Sequence, residues 1–340
     1  MKRLILLALL PLFSNAQFKT KYPEIPRIDV HTHCSDTSQN SFKSYLILRD
    51  SVKLMYNTDI AMWINLTQNN VNRAMQNTGG RMLSAFSSYR PAQTGVEYYN
   101  PGDIEKFKQE GYIGYKIWYG PSYRQEPEKV KYPYVDDPVN EKAFALLESQ
   151  GVFIASLHIA DPNGPFEWRT NWAADPVEYW REIIGLERVL HRHPNLNIVV
   201  AHGFWSMTQD AQLDFLRYVL DTYPKCNVDI SATINYANLP SYDNLRDFYI
   251  NYQDRLIWSM DFSMRPGQSS LNYLIRAAGD WFRFLETDDV FGENLTNNKK
   301  PMKGLNLPKD VLEKIYYKNA LRLYPDQLKE SMKRLGYSID

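Results

Sequence analysis

Short apolar runs alternate along the chain with segments whose apolar residues recur at helical spacing. Runs of strand length occupy residues 27–33, 59–66, 82–89, 112–119, 152–158, 197–202, 227–231 and 256–261. Helical candidates occupy residues 42–56, 101–109, 138–150, 176–193, 209–222, 241–252 and 271–285, with one or two further helices in the tail from residue 308 onward. Strands that alternate with helices indicate a parallel α/β architecture. Eight such strands predict a closed (β/α)8 TIM barrel.

The first residues have the order of basic, apolar and small segments that is typical of a secretory signal peptide. Lys2 and Arg3 precede a ten-residue apolar run over 4–13, and small residues follow up to Ala16. A membrane span needs about 20 apolar residues, so this run is too short for one. The alternative is a buried N-terminal helix. We expect cleavage near Ala16, a mature protein that is periplasmic or secreted, and a single TIM-barrel domain over 17–340 that includes the C-terminal helices.

Composition narrows the partners of the protein. The 340 residues contain 39 Lys and Arg against 39 Asp and Glu, so no basic field attracts nucleic acid. The chain is 44% hydrophobic and 14% aromatic, which requires a large buried core. No other segment approaches the length of a membrane span. We expect a small-molecule substrate, no nucleic acid and no membrane span, while an oligomer is possible. The two cysteines, Cys34 and Cys226, are predicted to be free thiols.

Five potential metal ligands lie at the ends of predicted strands. His31 and His33 end the first strand and share a face, because strand side chains alternate with a period of two. His158 ends the fifth strand, His202 the sixth and Asp261 the eighth. The carboxyl ends of barrel strands meet at one face, so these side chains converge. Imidazole and carboxylate groups are the ligands of a catalytic zinc-like ion that keeps one position open for water.

A single histidine at a strand end is more often a hydrogen-bonded core residue than a metal ligand, so the prediction rests on the set. A second His-x-His pair, His191 and His193, serves as a comparison. It precedes Pro194 at the end of a predicted helix, where cationic side chains interact favourably with the helix dipole. We interpret that pair as structural.

The motifs together resemble the amidohydrolase superfamily, in particular its amidohydrolase-related (family 2) branch, and indicate a secreted member. They are Ile-Asp-Val-His-Thr-His at 28–33, the single histidines and aspartate that end strands five, six and eight, and Lys-Asn-Ala-Leu-Arg-Leu at 318–323. The resemblance covers nearly the whole mature chain. It implies a distorted (β/α)8 barrel with one or two divalent metals, of which zinc is the first choice and manganese or iron would also suit the ligands.

The resemblance also implies roles for the site residues. His31, His33 and His158 would be metal ligands, and Asp261 would be both a ligand and the catalytic proton acceptor. His202 would ligate a second metal in a two-metal site or shuttle protons beside the attacking water in a one-metal site. Asp29 has the parity of His31 but lies deeper in the strand, so a structural role is expected.

Lys116 lies near the end of the fourth strand. Its chemical state distinguishes a site with one metal from a site with two. In two-metal relatives a lysine there is carbamylated by CO2 and bridges the metals. The conversion to an anion is required, because an ammonium has no lone pair and is repelled by cations. The alternative is a lysine packed in the barrel with its ammonium beside an acid or the substrate. One metal is the default expectation.

The implied activity is that of a metal-dependent hydrolase that cleaves an amide, lactone or other ester-like bond. Non-oxidative decarboxylation of an aromatic or dienoic acid is the first alternative, although export argues against it. A catalytically inactive ligand-binding barrel is the second. Three side chains are candidates for substrate contact: Arg90 after strand three, Trp118 on strand four and Arg169 in the loop after strand five. Each of the arginines could equally be a solvated surface residue.

Overall fold

The computed structural model describes residues 18–34, 39–67, 70–87, 101–120, 133–162, 176–263 and 271–339. Parallel strands and helices alternate along these residues, as the hydrophobic pattern predicts, and form a distorted (β/α)8 barrel. The strands are β1 Arg27–His33, β2 Ile60–Asn65, β3 in two segments Met82–Ser84 and Phe86–Ser87, β4 Tyr115–Tyr119, β5 Ile154–Ile159, β6 Ile198–Val200, β7 Cys226–Asp229 and β8 in two segments Leu256–Ile257 and Phe262–Ser263. Their side chains are almost all buried.

The barrel is distorted at two strands, each of which pairs with its two neighbours through separate segments. In β3, Met82–Ser84 pairs with β2 and Phe86–Ser87 pairs with β4. In β8, Leu256–Ile257 pairs with β7 and Phe262–Ser263 pairs with β1. The predicted strand over 256–261 is therefore wrong beyond residue 257, because residues 258–261 leave the sheet before pairing resumes on β1.

Helices follow the strands and cover the barrel. They are α1 Gln39–Tyr56, α2 Val71–Asn77, α3 Pro101–Gln109, α4 Glu141–Ser149, α5 Pro176–Arg192, α6 Asp210–Thr222, α7 Tyr242–Asn251, α8 Leu271–Glu286, α9 Lys309–Glu313, α10 Asn319–Leu323 and α11 Asp326–Arg334. Short 3-10 segments occupy Pro138–Asn140 and Thr233–Tyr236, the irregular segment Ala201–Thr208 follows β6, and a π-helical turn, Lys314–Lys318, joins α9 to α10. The hairpin β9 Val290–Phe291 and β10 Met302–Lys303 lies outside the barrel.

Local sequence signals explain several helix boundaries. Proline is the first residue of α3 and α5, where its missing N–H costs no hydrogen bond. Asn70 caps α2 by accepting a hydrogen bond from the Arg73 N–H at 3.0 Å. The predicted helices agree with the observed ones within a few residues, but α2 and the hairpin of β9 and β10 were not predicted. α2 is only seven residues long, so it offers little periodicity to detect.

A buried ion pair lies at the end of the barrel where the strands begin. The histidines lie at the other end. The Arg27 guanidinium, at the start of β1, lies 2.7 Å from a carboxylate oxygen of Glu286, and both side chains are fully buried. The rings of Phe282 and Tyr316 lie 4.8 and 4.5 Å from the guanidinium carbon. Thr20 also donates a hydrogen bond to Glu286, at 2.5 Å. The segment that leads into β1 is thereby attached to α8.

Both cysteines are buried free thiols. Within the described residues, none of the helices combines the length and the apolar character that crossing a membrane requires. The proposed signal peptide lies outside the described residues, and its cleavage and the domain boundaries that depend on it stay predictions.

Candidate metal centre

His31 and His33 lie on one face at the end of β1, as strand alternation predicts. Their ring centroids are 5.2 Å apart, and the His31 side chain is almost fully buried. Thr32, between them, points to the other side and forms a hydrogen bond with the Tyr45 hydroxyl at 2.8 Å. The alternation of a strand therefore directs two imidazoles to the same place.

Asp261 reaches these histidines from the break in β8. Its backbone is in the left-handed region, with φ of 58°, and its N–H donates to the His31 carbonyl at 2.9 Å. One carboxylate oxygen, Oδ1, lies 3.4 Å from His31 Nε2 and 3.3 Å from His33 Nε2. The predicted strand-end position of Asp261 is corrected to a turn between the two β8 segments. This turn brings the carboxylate to both imidazoles.

His202 lies in a left-handed turn and not in a strand. The predicted strand over 197–202 is corrected, since β6 ends at Val200. Four consecutive residues, His202 to Trp205, have φ between 55° and 59°. This conformation costs about 1–2 kcal/mol at each of His202, Phe204 and Trp205, whereas Gly203 adopts it freely, and such strain is concentrated at functional sites. The Trp205 ring stacks on the His202 imidazole at a centroid distance of 4.4 Å. The turn thus holds His202 against an aromatic surface inside the barrel mouth.

His158 lies on β5 beside His202 and outside the group formed by His31, His33 and Asp261. Its Nδ1 is 3.1 Å from His202 Nε2. Its Nε2 is buried, makes no hydrogen bond within the described part of the chain, and lies 3.5 Å from an Asp161 carboxylate oxygen. Burial lowers the pKa of His158 to about 3 and that of His202 to about 4. Both rings are therefore neutral near pH 7.

The donor set fits a divalent cation. The ligand atoms of His31, His33 and Asp261 all lie within 4.8 Å of one another. Burial lowers the pKa of both histidines, so neutral rings can present nitrogen lone pairs to the space that they share with a carboxylate oxygen. The buried Nε2 of His158, which makes no hydrogen bond among the residues that the structure describes, is a further nitrogen donor outside this group. Imidazoles combined with carboxylate suit zinc, manganese or iron.

A second group of possible ligands comprises His31, His202 and Asp229. Hydrogen bonds occupy its ligand atoms. His31 Nδ1 lies 3.0 Å from Asp229 Oδ2, and His202 Nδ1 lies 2.8 Å from the Ser231 hydroxyl. These nitrogens already have hydrogen-bond partners, so a cation is favoured at the Nε2 side of His31 instead.

Lys116 lies deeper in the barrel than the histidines and is buried. Its register partner on β5 is Ser156, to whose hydroxyl its ammonium donates a hydrogen bond at 2.8 Å, whereas His158 pairs with Trp118 two residues further along. Burial lowers the pKa of Lys116 to about 8, although Asp229 and Asp261 oppose this shift. A lysine with this pKa is partly a free amine, which is the form that reacts with CO2.

Of the three predicted substrate contacts, only Trp118 lies among the described residues. Its ring stacks on His158 with a centroid distance of 5.4 Å and an interplanar angle of 27°. Gly120 makes room for this ring, since a side chain there would collide with it. Arg90 and Arg169 lie outside the described residues, so their roles stay predictions.

Sequence reasoning missed Asp229, which ends β7 and is buried against His31 and His202. Burial favours the neutral acid, but His31 and the Ser231 hydroxyl outweigh it and hold the pKa of Asp229 well below its usual value. The available signal was an acidic residue at the end of a short buried strand.

The sequence model of the amidohydrolase family matches residues 119–325, more than half of the chain. The protein therefore belongs to this amidohydrolase family. No protein with a curated description matches the sequence.

Solved structures share the barrel fold at low sequence identity. An uncharacterised TIM-barrel protein from Bordetella bronchiseptica is 14% identical, with a TM-score of 0.52 over 90% of this chain and 99% of that one. A 2,6-dihydroxybenzoate decarboxylase, solved in complex with 2,6-dihydroxybenzoate, is also 14% identical, with a TM-score of 0.51 over 90% and 99% of the two chains. At this identity the likeness concerns the fold alone.

Proposed function

We propose that this protein is a metal-dependent hydrolase that cleaves an amide, lactone or other ester-like bond of a small molecule. His31, His33, His158 and Asp261 would hold one divalent cation, with zinc the first choice. The observation that carries the proposal is the shared Asp261 oxygen, which lies 3.3–3.4 Å from the Nε2 atoms of His31 and His33. Membership of the amidohydrolase family supports it.

The chain's own side chains supply proton transfer and orientation. The cation, when bound, lowers the pKa of a water molecule toward about 7 and polarises the substrate carbonyl. Asp261 takes the proton of the attacking water on its carboxylate and passes it to the leaving group. His202, neutral near pH 7, would accept a hydrogen bond at Nε2, from the attacking water or from His158 Nδ1, on a ring that Trp205 and Ser231 hold in place. Trp118 forms an aromatic wall against which the substrate packs.

Decarboxylation of an aromatic acid is the second candidate. One relative in fold is a 2,6-dihydroxybenzoate decarboxylase, and the Trp118 ring beside His158 offers a flat surface on which an aromatic substrate could stack. On this alternative, the same ligands would hold the cation, the carboxylate would leave as CO2, and the ring carbon would take its proton from water. A barrel that binds a ligand without catalysis is the remaining alternative.

A carbamylated Lys116 that bridges two metals is an alternative to the one-metal site. The pKa of about 8 favours carbamylation, since more of the amine is free. The deeper position of Lys116, level with Ser156 and not with His158, favours a single metal. Removing bicarbonate and CO2 from the buffers should lower metal content only if the bridge forms.

A substrate panel tests the proposed function. Zinc- or manganese-loaded protein is incubated separately with lactones, N-acyl amides, aryl esters and hydroxybenzoates, and hydrolysis and CO2 release are measured. Turnover of a lactone, amide or ester that is abolished by Asp261→Asn and by chelation supports the hydrolase. CO2 release from a hydroxybenzoate with no hydrolysis supports the second candidate. Specific binding of a compound without turnover would support the remaining alternative, a ligand-binding barrel without catalysis.

Export is proposed on the N-terminal sequence alone. Intact mass of protein expressed with residues 1–340 should correspond to a chain that begins at Gln17, recovered outside the cytoplasm. An uncleaved chain in the cytoplasm would overturn this proposal and leave the proposed activity unaffected.

A further inference from the structure

The end of β7 contacts three of the histidine side chains in the barrel mouth, directly or through one intermediate. Asp229 and Ser231 are both almost fully buried. They lie on the inner side of the site, away from the face where His31 and His33 meet Asp261. We infer that Asp229 and Ser231 are positioning residues that fix which ring nitrogen of His31, His202 and His158 carries the proton. The inference rests on the proposed metal site. It adds which residues set the histidine tautomers that this site needs.

The two oxygens of Asp229 have different partners. Oδ1 accepts hydrogen bonds from the backbone N–H groups of His202 and Ser231, at 3.2 and 3.0 Å, and from the hydroxyls of Ser231 and Ser259, at 2.5 and 3.1 Å. Oδ2 lies 3.0 Å from His31 Nδ1. A carboxylate only accepts hydrogen bonds, so Nδ1 of His31 carries the proton. The Nε2 lone pair of His31 then faces Asp261 Oδ1 at 3.4 Å, and two acceptors that face each other favour a cation between them.

Ser231 fixes His202 in the same way. His202 Nδ1 lies 2.9 Å from the Ser231 carbonyl, which can only accept, so this nitrogen also carries the proton. The Ser231 hydroxyl gives its own proton to Asp229 and is therefore free to accept from His202 Nδ1 at 2.8 Å. Nε2 of His202 is left as a hydrogen-bond acceptor.

The tautomer of His158 follows from that of His202. His202 Nε2 lies 3.1 Å from His158 Nδ1, and an acceptor on one side requires a donor on the other. His158 therefore carries its proton on Nδ1 and presents an Nε2 lone pair, which lies 3.5 Å from an Asp161 carboxylate oxygen but makes no hydrogen bond within the described residues. His33 stands apart, because its Nδ1 partner is the Thr67 hydroxyl, which can donate or accept.

Asp229→Asn tests the inference because it should reverse one tautomer. Four donors surround Oδ1, so the amide oxygen of the asparagine is expected there and its NH2 group faces His31 Nδ1. His31 must then move its proton to Nε2, which removes the lone pair proposed for the metal. Ser259→Ala is the matched control, since Ser259 also donates to Asp229 but, within the described part of the chain, makes no hydrogen bond with a histidine.

Two measurements on the metal-free and metal-loaded chain give the outcome. Long-range 1H–15N NMR of histidine-labelled, metal-free protein should show Nδ1–H tautomers for His31, His158 and His202, with His31 switched in Asp229→Asn. Chelator competition with Zn2+ should show about 10- to 100-fold weaker binding in Asp229→Asn, the usual effect of losing a partner of a ligating histidine. Ser259→Ala should change neither the tautomers nor the affinity.

The outcomes separate this inference from the proposed function. An Nε2–H tautomer for His31 or His158 in the unmodified protein would overturn the inference, even if Asp229→Asn failed to fold. Unchanged His31 tautomer and Zn2+ affinity in a folded Asp229→Asn variant would also overturn it while leaving the metal site intact. A switched tautomer with unchanged Zn2+ affinity would refute the role toward the metal and contradict His31 as a ligand.

Discussion

The chain contains two His-x-His pairs, one at the end of a strand and one at the end of a helix. At the end of β1, the rings of His31 and His33 lie on the same side, 5.2 Å apart. At the end of α5, His191 is exposed and His193 is buried. The spacing is identical but the outcomes differ, because residues two apart share a face on a strand and are rotated by about 200° on a helix.

The partners of the two pairs differ as well. His193 lies between two partly exposed carboxylates, with Nδ1 3.0 Å from Glu148 and Nε2 3.1 Å from Glu141. These contacts attach the end of α5 to α4. His31 and His33 instead share one carboxylate oxygen inside the barrel, next to further histidines. Of these two pairs, the strand pair has both rings beside one carboxylate oxygen, which is the arrangement that suits a shared metal ion.

The largest expected effect follows removal of the acid at the β1 pair. Asp261→Asn should reduce turnover of the best substrate about 10²- to 10⁴-fold, because the amide cannot accept the proton of the attacking water. Steady-state kinetics measure this loss. Asp254→Asn, which alters an exposed acid paired with Lys314, is the control and should leave turnover unchanged. Near-normal activity in Asp261→Asn would remove Asp261 from the reaction.

Acidification should destabilise the metal-free protein through its buried neutral histidines. The folded-state pKa of His202 is lowered from 6.5 to about 4, so the unfolded chain binds more protons between these values. The free energy of unfolding should fall as the pH decreases from 6.5 to 4, by a few kcal/mol at about 1.4 kcal/mol per pKa unit.

Urea denaturation at several pH values measures this slope. It should be shallower in His202→Asn, where the asparagine NH2 can still donate to the Ser231 carbonyl. An equal slope in both proteins would show that His202 does not titrate on unfolding.

The helix-end pair should matter for stability and not for metal binding. His193→Ala removes contacts to Glu141 and Glu148 and is expected to cost about 1–2 kcal/mol of unfolding free energy. Thermal denaturation measures the loss. His191→Ala, at an exposed position, should be nearly neutral. A loss of bound metal in His193→Ala would contradict the assignment of metal binding to the β1 pair alone.

The smallest effect is expected at the aromatic wall of the β1 site. Trp118→Leu should raise KM about 2- to 10-fold with a smaller change in kcat, because it removes ring contacts worth about 0.5–1.5 kcal/mol. Trp118→Phe should recover part of the loss. A change confined to kcat would place Trp118 outside the substrate pocket.

Much of the barrel could be predicted from the sequence because its strands and helices have distinct periods. The β1 strand and the shared face of His31 and His33 follow directly from alternation. The left-handed turn at His202 to Trp205 could not be predicted, since three of its four residues are not glycine and such residues rarely adopt positive φ. The turn at Asp261 in the interrupted β8 was hidden for the same reason.

The role of Asp229 also depends on tertiary structure. Its two oxygens face atoms of β1, of the turn after β6 and of the break between the two β8 segments, three regions far apart in the sequence. No periodicity within a four-residue strand specifies such partners. Its acidic side chain in an otherwise buried strand was visible in the sequence, but its hydrogen bonds to two histidine-bearing segments were not.

Metal content of the purified chain is the most direct test of the difference between the two His-x-His pairs. The chain from Gln17 is purified without chelator or added metal, beside His31→Ala, His193→Ala and Lys116→Ala, and divalent ions per chain are measured by elemental mass spectrometry. We expect one ion in the unmodified, His193→Ala and Lys116→Ala proteins and none in His31→Ala. Two ions that decrease with Lys116→Ala would instead indicate the carbamate bridge. No metal in the unmodified protein, and none after reconstitution with zinc or manganese, would contradict the metal centre.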